Sequence, residues 1–494
     1  MSSSKTFLLF FVLIGAVVFI RSLYVLDPDF GWHFRLGGII LQTGIPKTDP
    51  LSYTMPSYAF IDHEWLSNVI INILYRFSGM YILALIYTLL FIFSLLFTIP
   101  KNLKNYSLVS LVLGGSLMVG FTGVRTQIIT WFFLAILLKI ILDKKLWNKW
   151  KFFIPLLFLP WANLHGGFSI GIGTLLVAAF IKTIQDRKVQ VKYWLIFILS
   201  LLVTFLNPYG PRIWYEIWMQ ATDTALRWRI SEWLPGAFYL DLSFIILLAF
   251  SFTFLVRYRN KFNLLEIGIF LSLFALSFSS LRNIPLWTLV AIPITSKGIY
   301  LFIEEVKKKK VNQKKFLQAK EFIAILLIAL FICEIGKSFF TSYYLTESRE
   351  YPINAVAYIN KQKITARMFS IYDWGGYLDW KIPSQKVFID GRMPSWRRSG
   401  NYPIESDNAM NEYIADISNI NSLSKAVKKY NISYLLLPVA PPAKEDLISK
   451  IGKILNASSL VNAPANSITD ISLKKIGMVK IYEDGQAVIY KLSD

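Results

Sequence analysis

Long apolar runs alternate with short charged ones from residue 6 to residue 340, and then the alternation stops. A helix that crosses a bilayer needs roughly 20 mostly apolar residues. By that criterion spans are predicted at 6–26, 79–99, 106–122, 127–143, 152–163, 168–184, 192–206, 242–256, 264–281, 284–303 and 320–340, eleven in all. The fifth and sixth are the weakest. Residues 152–184 contain Pro155, Pro160 and the polar break Asn163-Leu164-His165-Gly166-Gly167. They read as two short helices meeting at that break, and a single kinked helix would reduce the count to ten. Beyond 340 the pattern mixes two periods. Helices are predicted at 352–361 and 408–430, buried strands at 367–372, 386–390 and 434–437, and a hairpin of 479–482 with 487–491 around Asp484-Gly485. The expected fold class is a polytopic α-helical membrane protein, with a membrane domain over 1–340 and a C-terminal α/β domain over 341–494.

Charge orients this arrangement. One set of loops carries Lys5; Lys101 and Lys104; Lys144, Lys145, Lys149 and Lys151; Lys182, Arg187, Lys188 and Lys192; Arg257, Arg259 and Lys261; and a basic run over 307–320 that opens with four consecutive lysines at 307–310. The alternate loops carry Asp27, Asp29, Asp49, Asp62, Glu64, Asp223 and Glu232 with few cations. Basic loops stay in the cytosol. The N-terminus is therefore expected inside, and the C-terminal domain outside, in the cell membrane. The alternation holds under the eleven-helix count, whereas a ten-helix count would put basic loops on both sides. The first span has no small-residue cleavage site after it and reads as a retained anchor.

Composition agrees. The chain is 54% hydrophobic and 17% charged, where a soluble protein carries about a quarter charged residues. The net charge of +21 is not a nucleic-acid footprint. Residues 341–494 hold 19 Lys/Arg against 15 Asp/Glu, a net of +4, which leaves +17 for the membrane part, mostly in loops on one side. The single cysteine, Cys333, lies in an apolar run and is expected to be a small packing residue. Arg21 is expected to snorkel toward the interface, and Glu334 and Lys337 to pair along one helix.

Candidate chemistry concentrates in the long first outer loop, 27–78. It opens Asp27-Pro28-Asp29-Phe30-Gly31-Trp32-His33 and continues through Thr48-Asp49-Pro50-Leu51-Ser52-Tyr53 to Asp62-His63-Glu64-Trp65-Leu66. Carboxylates at a membrane surface lose hydration unless they are paired or hold a cation. Asp27, Asp29, His33, Asp62, His63 and Glu64 are candidate ligands for a divalent metal such as Mg or Mn. Equally, Asp27 or Asp29 is a candidate general base, its pKa raised by desolvation. The same acids also suit plainer work, as a turn at Asp27-Pro28 and as caps of the helices that follow Asp29 and Asp62.

The Asp27–His33 stretch resembles the first outer loop of the GT-C membrane glycosyltransferases. Oligosaccharyltransferase catalytic subunits open that loop with Asp-Pro, two aromatics and a basic residue. Protein O-mannosyltransferases place an acidic pair followed by His there. The layout of many helices, a long acidic first outer loop and an outer C-terminal domain is similar as well. The sequence looks most like uncharacterised prokaryotic multi-spanning proteins of this superfamily, which share the Asp-x-Asp…Trp-His opening, the Asp-Pro-x-Ser-x-Thr stretch and the Glu-Trp-Leu segment. In the C-terminal domain, Asp373-Trp374-Gly375-Gly376-Tyr377 resembles the Trp-Trp-Asp-Tyr-Gly signature of oligosaccharyltransferases. Its order differs and the leading Trp pair is missing, so sequon recognition is not carried over.

The resemblance implies a GT-C-like fold and an inverting glycosyltransferase of the cell envelope, with a polyprenyl-phosphate-linked sugar as donor and a glycan or protein as acceptor. Asp27 and Asp29 are then the catalytic candidates. Cations at the outer mouth suit a donor phosphate, and the candidates are Arg229, Arg282 and His165. Acidic and aromatic groups after the predicted strands suit an acceptor, and the candidates are Asp373, Trp374, Asp390 and Arg392. A transporter or flippase of a lipid-linked glycan is the alternative. It is disfavoured because the acids gather at the outer rim and no repeat is visible. A non-catalytic glycan-assembly protein is a third reading.

Overall fold

All eleven apolar runs are helical in the computed structural model, which describes residues 3–309, 313–400, 402–439 and 468–493. Lys310 of the basic run lies outside the described residues. Five helices are long and apolar enough to cross a membrane by length and composition: Lys5–Tyr24, Met80–Thr98, Phe168–Asp186, Leu281–Lys308 and Leu317–Tyr344. Five shorter apolar helices join them: Leu108–Val119, Gln127–Leu142, Val191–Val203, Leu242–Arg257 and Leu264–Ser279. The weak fifth run forms an 11-residue helix, Ile154–Leu164.

The contacts divide the chain into two units. One comprises 1–23, 80–211 and 232–342; the other comprises 24–79, 212–231 and 343–494. The first outer loop, expected within the membrane domain, therefore folds with the C-terminal residues, and a segment of the 207–241 loop joins it.

In the helical unit, the break expected within 152–184 is present. The Ile154–Leu164 helix stops at His165, which is extended (φ −162°, ψ 136°), and the next helix starts at Phe168. Gly167 is needed at this corner, because a Cβ there would overlap Thr130 Oγ1. Trp161 anchors the corner. Its ring stacks with Phe133 and Phe158 at 5.5 and 5.2 Å, and its Nε1 donates to Thr130 Oγ1 at 3.0 Å. Half-buried ions are paired: Lys297 with Glu266 at 2.8 Å, and Lys337 with the buried Asp241 at 2.5 Å and with Glu334 at 3.6 Å.

Two expectations are corrected in this unit. Arg21 does not snorkel. It is buried and donates to the carbonyls of Thr122 and Gly120 at 3.1 and 3.0 Å and to Ser342 Oγ at 2.9 Å. It thus satisfies carbonyls at the end of the Leu108–Val119 helix, where the helical ladder leaves them without donors. Cys333 is exposed, in company with Phe322, Ile325, Ile328 and Ile332 on the same helix. An apolar helix that turns large side chains outward suits a lipid solvent, and Cys333 belongs to that surface instead of to the packing.

The second unit is built on a four-stranded sheet of order β1-β2-β4-β3: β1 Met368–Ser370, β2 Tyr434–Pro438, β3 Met478–Glu483 and β4 Ala487–Leu492. β1 and β2 are parallel, with Phe369 opposite Leu435, and the other pairs are antiparallel. Asp484 closes the β3–β4 hairpin by accepting from the amides of Gln486 and Ala487.

The predicted strand at 386–390 is not part of this sheet. Its backbone pairs instead with the first outer loop. Val387 N–H donates to Leu51 at 2.9 Å, and Tyr53 N–H donates to the Val387 carbonyl at 3.0 Å. The predicted helix 408–430 is two helices, Ala409–Ser418 and Ile420–Tyr430. Asn419 breaks the run because its extended backbone lets its side chain cap the second helix at Asn421 N–H. One core joins loop and domain: Trp32, Leu36, Leu51, Tyr53 and Phe60 pack in the same cluster as Phe369, Phe388, Trp396, Tyr430 and Leu435.

This unit also contains a pH-sensitive weak point. Asp416 is buried, one oxygen accepting from Ser422 Oγ at 2.6 Å and the other without a hydrogen-bond partner. Burial pushes its carboxyl up to about 6. Its contribution to stability is therefore present below about pH 4, where the unfolded carboxyl is also protonated, and is lost as pH rises through about 6. Asp416→Asn is expected to raise the melting temperature at pH 7.5 and leave it unchanged at pH 4. Thermal denaturation of the detergent-solubilised chain at both pH values checks this.

Candidate active site

Asp27-Pro28-Asp29 forms a tight turn at the start of the Phe30–Thr43 helix. Asp27 Oδ1 accepts from the Asp29 amide at 2.9 Å, and the Asp27 carbonyl accepts from Phe30 at 3.0 Å. Asp29 Oδ1 in turn accepts from Trp32 Nε1 at 2.8 Å. Both carboxylates are thereby held by backbone and indole, and Asp27 is buried.

The C-terminal motifs close against this turn. A Cβ at Gly376 would overlap the Pro28 carbonyl, and one at Gly391 would overlap Asp29 Oδ1. Gly31 faces the Gly376 carbonyl in the same way. The glycines of the Asp373-Trp374-Gly375-Gly376 and Asp390-Gly391-Arg392 stretches thus allow the two segments to approach at backbone distance.

Between them lies Tyr351, fully buried and stacked on Tyr377 at 4.6 Å, with its hydroxyl donating to the Leu26 carbonyl at 3.3 Å. Burial, then the charges of Asp27, Glu350, Asp29 and Asp373, holds this hydroxyl well above the ordinary phenol range. Carboxylates from three parts of the chain thus act on one buried phenol through their charge. Trp374 is buried too, donating from Nε1 to the Glu350 carbonyl at 3.0 Å. Tyr351 and Glu350 were not singled out from the sequence, since Glu350-Tyr351-Pro352 carries no pattern that sets it apart.

The other loop candidates form a second network joined to the first through Trp32. The Trp32 and His33 rings lie 3.6 Å apart, centroid to centroid. His33 Nδ1 meets Asn68 Oδ1 at 2.5 Å, and Asn68 Nδ2 donates to Asp62 Oδ2 at 2.7 Å. Glu64 sits between two imidazoles, 3.4 Å from His33 Nε2 and 3.5 Å from His63 Nε2.

Burial raises Asp62, against the opposing pull of the Glu64 amide and His63. Burial also lowers the His63 imidazole, but the hydrogen bond and charge of Glu64, with Glu216 and Asp62, outweigh it and hold His63 above its ordinary value. Burial raises Glu216 too, with His63 opposing. Glu216 is a member of this cluster that the sequence reading missed. Among the described residues, no group of three or more His, Cys, Asp or Glu side chains converges so as to hold a metal ion.

Asp390 and Arg392, expected to bind an acceptor, are both buried in an ion pair. Arg392 Nη2 lies 2.6 Å from Asp390 Oδ2, and Arg392 Nη1 lies 2.8 Å from Asp49 Oδ1. Asp49 also caps its own turn through the amides of Leu51 and Ser52. The triad joins the first outer loop to the domain. Next to it, Arg35 pairs with buried Asp379 at 3.0 Å. Burial and the Asp390 charge push Asp379 well above the usual carboxylate range, and its Oδ2 has no hydrogen-bond partner.

The donor-phosphate candidates fall in different units. Arg229, in the second unit, donates to Asn411 Oδ1 at 2.6 Å. In the helical unit, Arg282 stacks over the Trp233 ring at 4.5 Å, and Arg125 pairs with Glu232. Also in that unit, His165 Nδ1 accepts from the Gly167 amide at 2.9 Å, which places the neutral ring's proton on Nε2.

The backbone trace has a solved counterpart. The archaeal oligosaccharyltransferase AglB from Archaeoglobus fulgidus, solved in complex with an inhibitory peptide and a dolichol-phosphate, matches with a TM-score of 0.61 at 11% identity, over 100% of this chain and 75% of that one. This chain has an oligosaccharyltransferase fold. The apo form of the Archaeoglobus fulgidus oligosaccharyltransferase gives a TM-score of 0.59 at 13% identity, over 99% and 74% of the two chains. No protein-family model matches the sequence, and no curated protein matches it. The oligosaccharyltransferase fold is thus shared through backbone geometry with little sequence in common, and residue roles rest on the side chains described above.

Proposed function

We propose that this chain is a membrane glycosyltransferase that moves a sugar from a polyprenyl-phosphate-linked donor to an acceptor at the outer membrane face. The observation that carries the reading is the close approach of the Gly376 and Gly391 segments to the Asp27-Pro28-Asp29 turn, within a chain that has an oligosaccharyltransferase fold over its full length. The neighbour's dolichol-phosphate and inhibitory peptide are of the chemical classes this donor and acceptor would have.

In the proposed reaction the acceptor hydroxyl attacks the anomeric carbon and inverts it. Asp27 or Asp29 takes the hydroxyl proton, and the bond to the phosphate oxygen breaks with its electron pair leaving on the phosphate. Arg229, which belongs to the same unit as the two aspartates, is proposed to pair with that leaving group. Asp373 and Trp374 hold the acceptor side. Asp390 and Arg392 are placed as positioning residues that fix the first outer loop and the Gly391 turn.

The test is mass spectrometry of surface glycans and glycoproteins from a deletion strain. A sugar is expected to disappear, and to return with the wild-type chain but not with Asp27→Asn. An unchanged glycan inventory, from cells whose parent expresses the chain, would overturn the proposal.

A further inference from the structure

The Arg212–Thr222 helix presents a face that neither core nor active site uses. Its inward positions are Ile213, Glu216 and Met219, all buried. Its outward stripe is Arg212, Tyr215, Trp218 and Thr222, and Tyr215 and Trp218 are 55% and 66% exposed. The short turn of helix that follows, Leu226–Arg229, adds Trp228, 62% exposed, between Arg227 and Arg229.

Charge is sorted across the segment. Both acids point inward: Glu216 accepts from Gln220 at 3.2 Å, and Asp223 caps the amides of Ala225 and Leu226 and lies 3.6 Å from Arg397. The exposed and half-exposed charges are all cationic: Arg212 and Arg227 on this surface, and Arg229 at its end, where it donates to Asn411 Oδ1. In sequence the segment lies between two apolar helices, Val191–Val203 and Leu242–Arg257.

Indole and phenol rings with a polar edge prefer the headgroup level of a bilayer, and arginines there meet lipid phosphates. We infer that the 212–228 segment is an interfacial anchor, with Tyr215, Trp218 and Trp228 seated among the phospholipid headgroups of the outer leaflet. The inference stands on the membrane character of the chain and is independent of the transfer reaction.

The test uses the single cysteine. Cys333→Ser gives a cysteine-free full-length chain, into which Trp218→Cys is introduced and labelled with an environment-sensitive nitrobenzoxadiazole probe, in nanodiscs of mixed zwitterionic and anionic phospholipid. Lys428→Cys, on an exposed position of the Ile420–Tyr430 helix, serves as the aqueous control. The probe at 218 is expected to be quenched at least threefold more by headgroup spin-labelled lipid than the probe at 428, with a blue-shifted emission and reduced iodide quenching. Tyr215→Cys and Trp228→Cys probes are expected to behave alike. Iodide quenching at 218 equal to that at 428, with no effect of lipid-borne quenchers, would overturn the inference. Quenching by neither reagent would overturn it as well, since it would mean that protein covers the face.

Discussion

Asp27→Asn is expected to lower sugar transfer by roughly 10²–10⁴-fold, the usual contribution of a positioned acid or base, while leaving the fold intact. The choice of Asn follows from the geometry. Asp27 Oδ1 holds the turn by accepting from the Asp29 amide, and an Asn carbonyl oxygen does the same. Likewise, Asp29→Asn keeps an acceptor for Trp32 Nε1. Both variants therefore remove charge and basicity without removing the hydrogen bonds that shape the loop. Asp27→Ala would remove both and confuse the two effects.

The measurement is the rate of transfer from a radiolabelled lipid-linked sugar pool in membranes containing matched amounts of each variant. If one residue is the base and the other shapes the site, the two losses will differ. Wild-type rates in both variants would take these carboxylates out of the chemistry.

The second large effect concerns stability. Arg392→Met is expected to destabilise the chain by about 3–5 kcal/mol, because it leaves Asp49 and Asp390 buried without their cation. The cost comes from the stranded carboxylates more than from the lost bonds. Asp49→Asn and Asp390→Asn added to Arg392→Met should therefore recover much of the loss, as replacing a whole buried ion cluster often does. Thermal denaturation and membrane expression of the single and triple variants check this. An Arg392→Met chain as stable as wild type would show that water reaches the pair. The neighbouring Asp379, already pushed toward its neutral form by burial and by Asp390, is not expected to supply a compensating charge.

The sequence was informative wherever the physics is local. Apolar runs have no alternative but to bury their backbone in helices when lipid is the solvent, so all eleven runs were legible. The break at Asn163–Gly167 was legible because glycines weaken a helix where they stand, while Pro160 is carried inside the Ile154–Leu164 helix. The Asp484-Gly485 hairpin was legible for the same kind of reason. Asn419 shows the limit of periodicity: the apolar spacing runs on across 408–430, but one side chain prefers capping to continuing. At 386–390 the apolar run did announce a buried extended segment, yet its partner is the first outer loop and not the sheet.

What the chain determined by itself was therefore its membrane character, its helices, and the acidic and glycine-containing stretches that carry chemistry. Only the tertiary structure decided which stretches meet. Asp49 and Arg392 are 343 residues apart, and nothing in either neighbourhood specifies the other. Tyr351 looks ordinary in sequence and takes on meaning only because the fold stacks it on Tyr377 and brings its hydroxyl to the Leu26 carbonyl, next to the Asp27 turn. Helix formation is encoded in each run, whereas a site is a coincidence in space of side chains whose separation along the chain carries no signal.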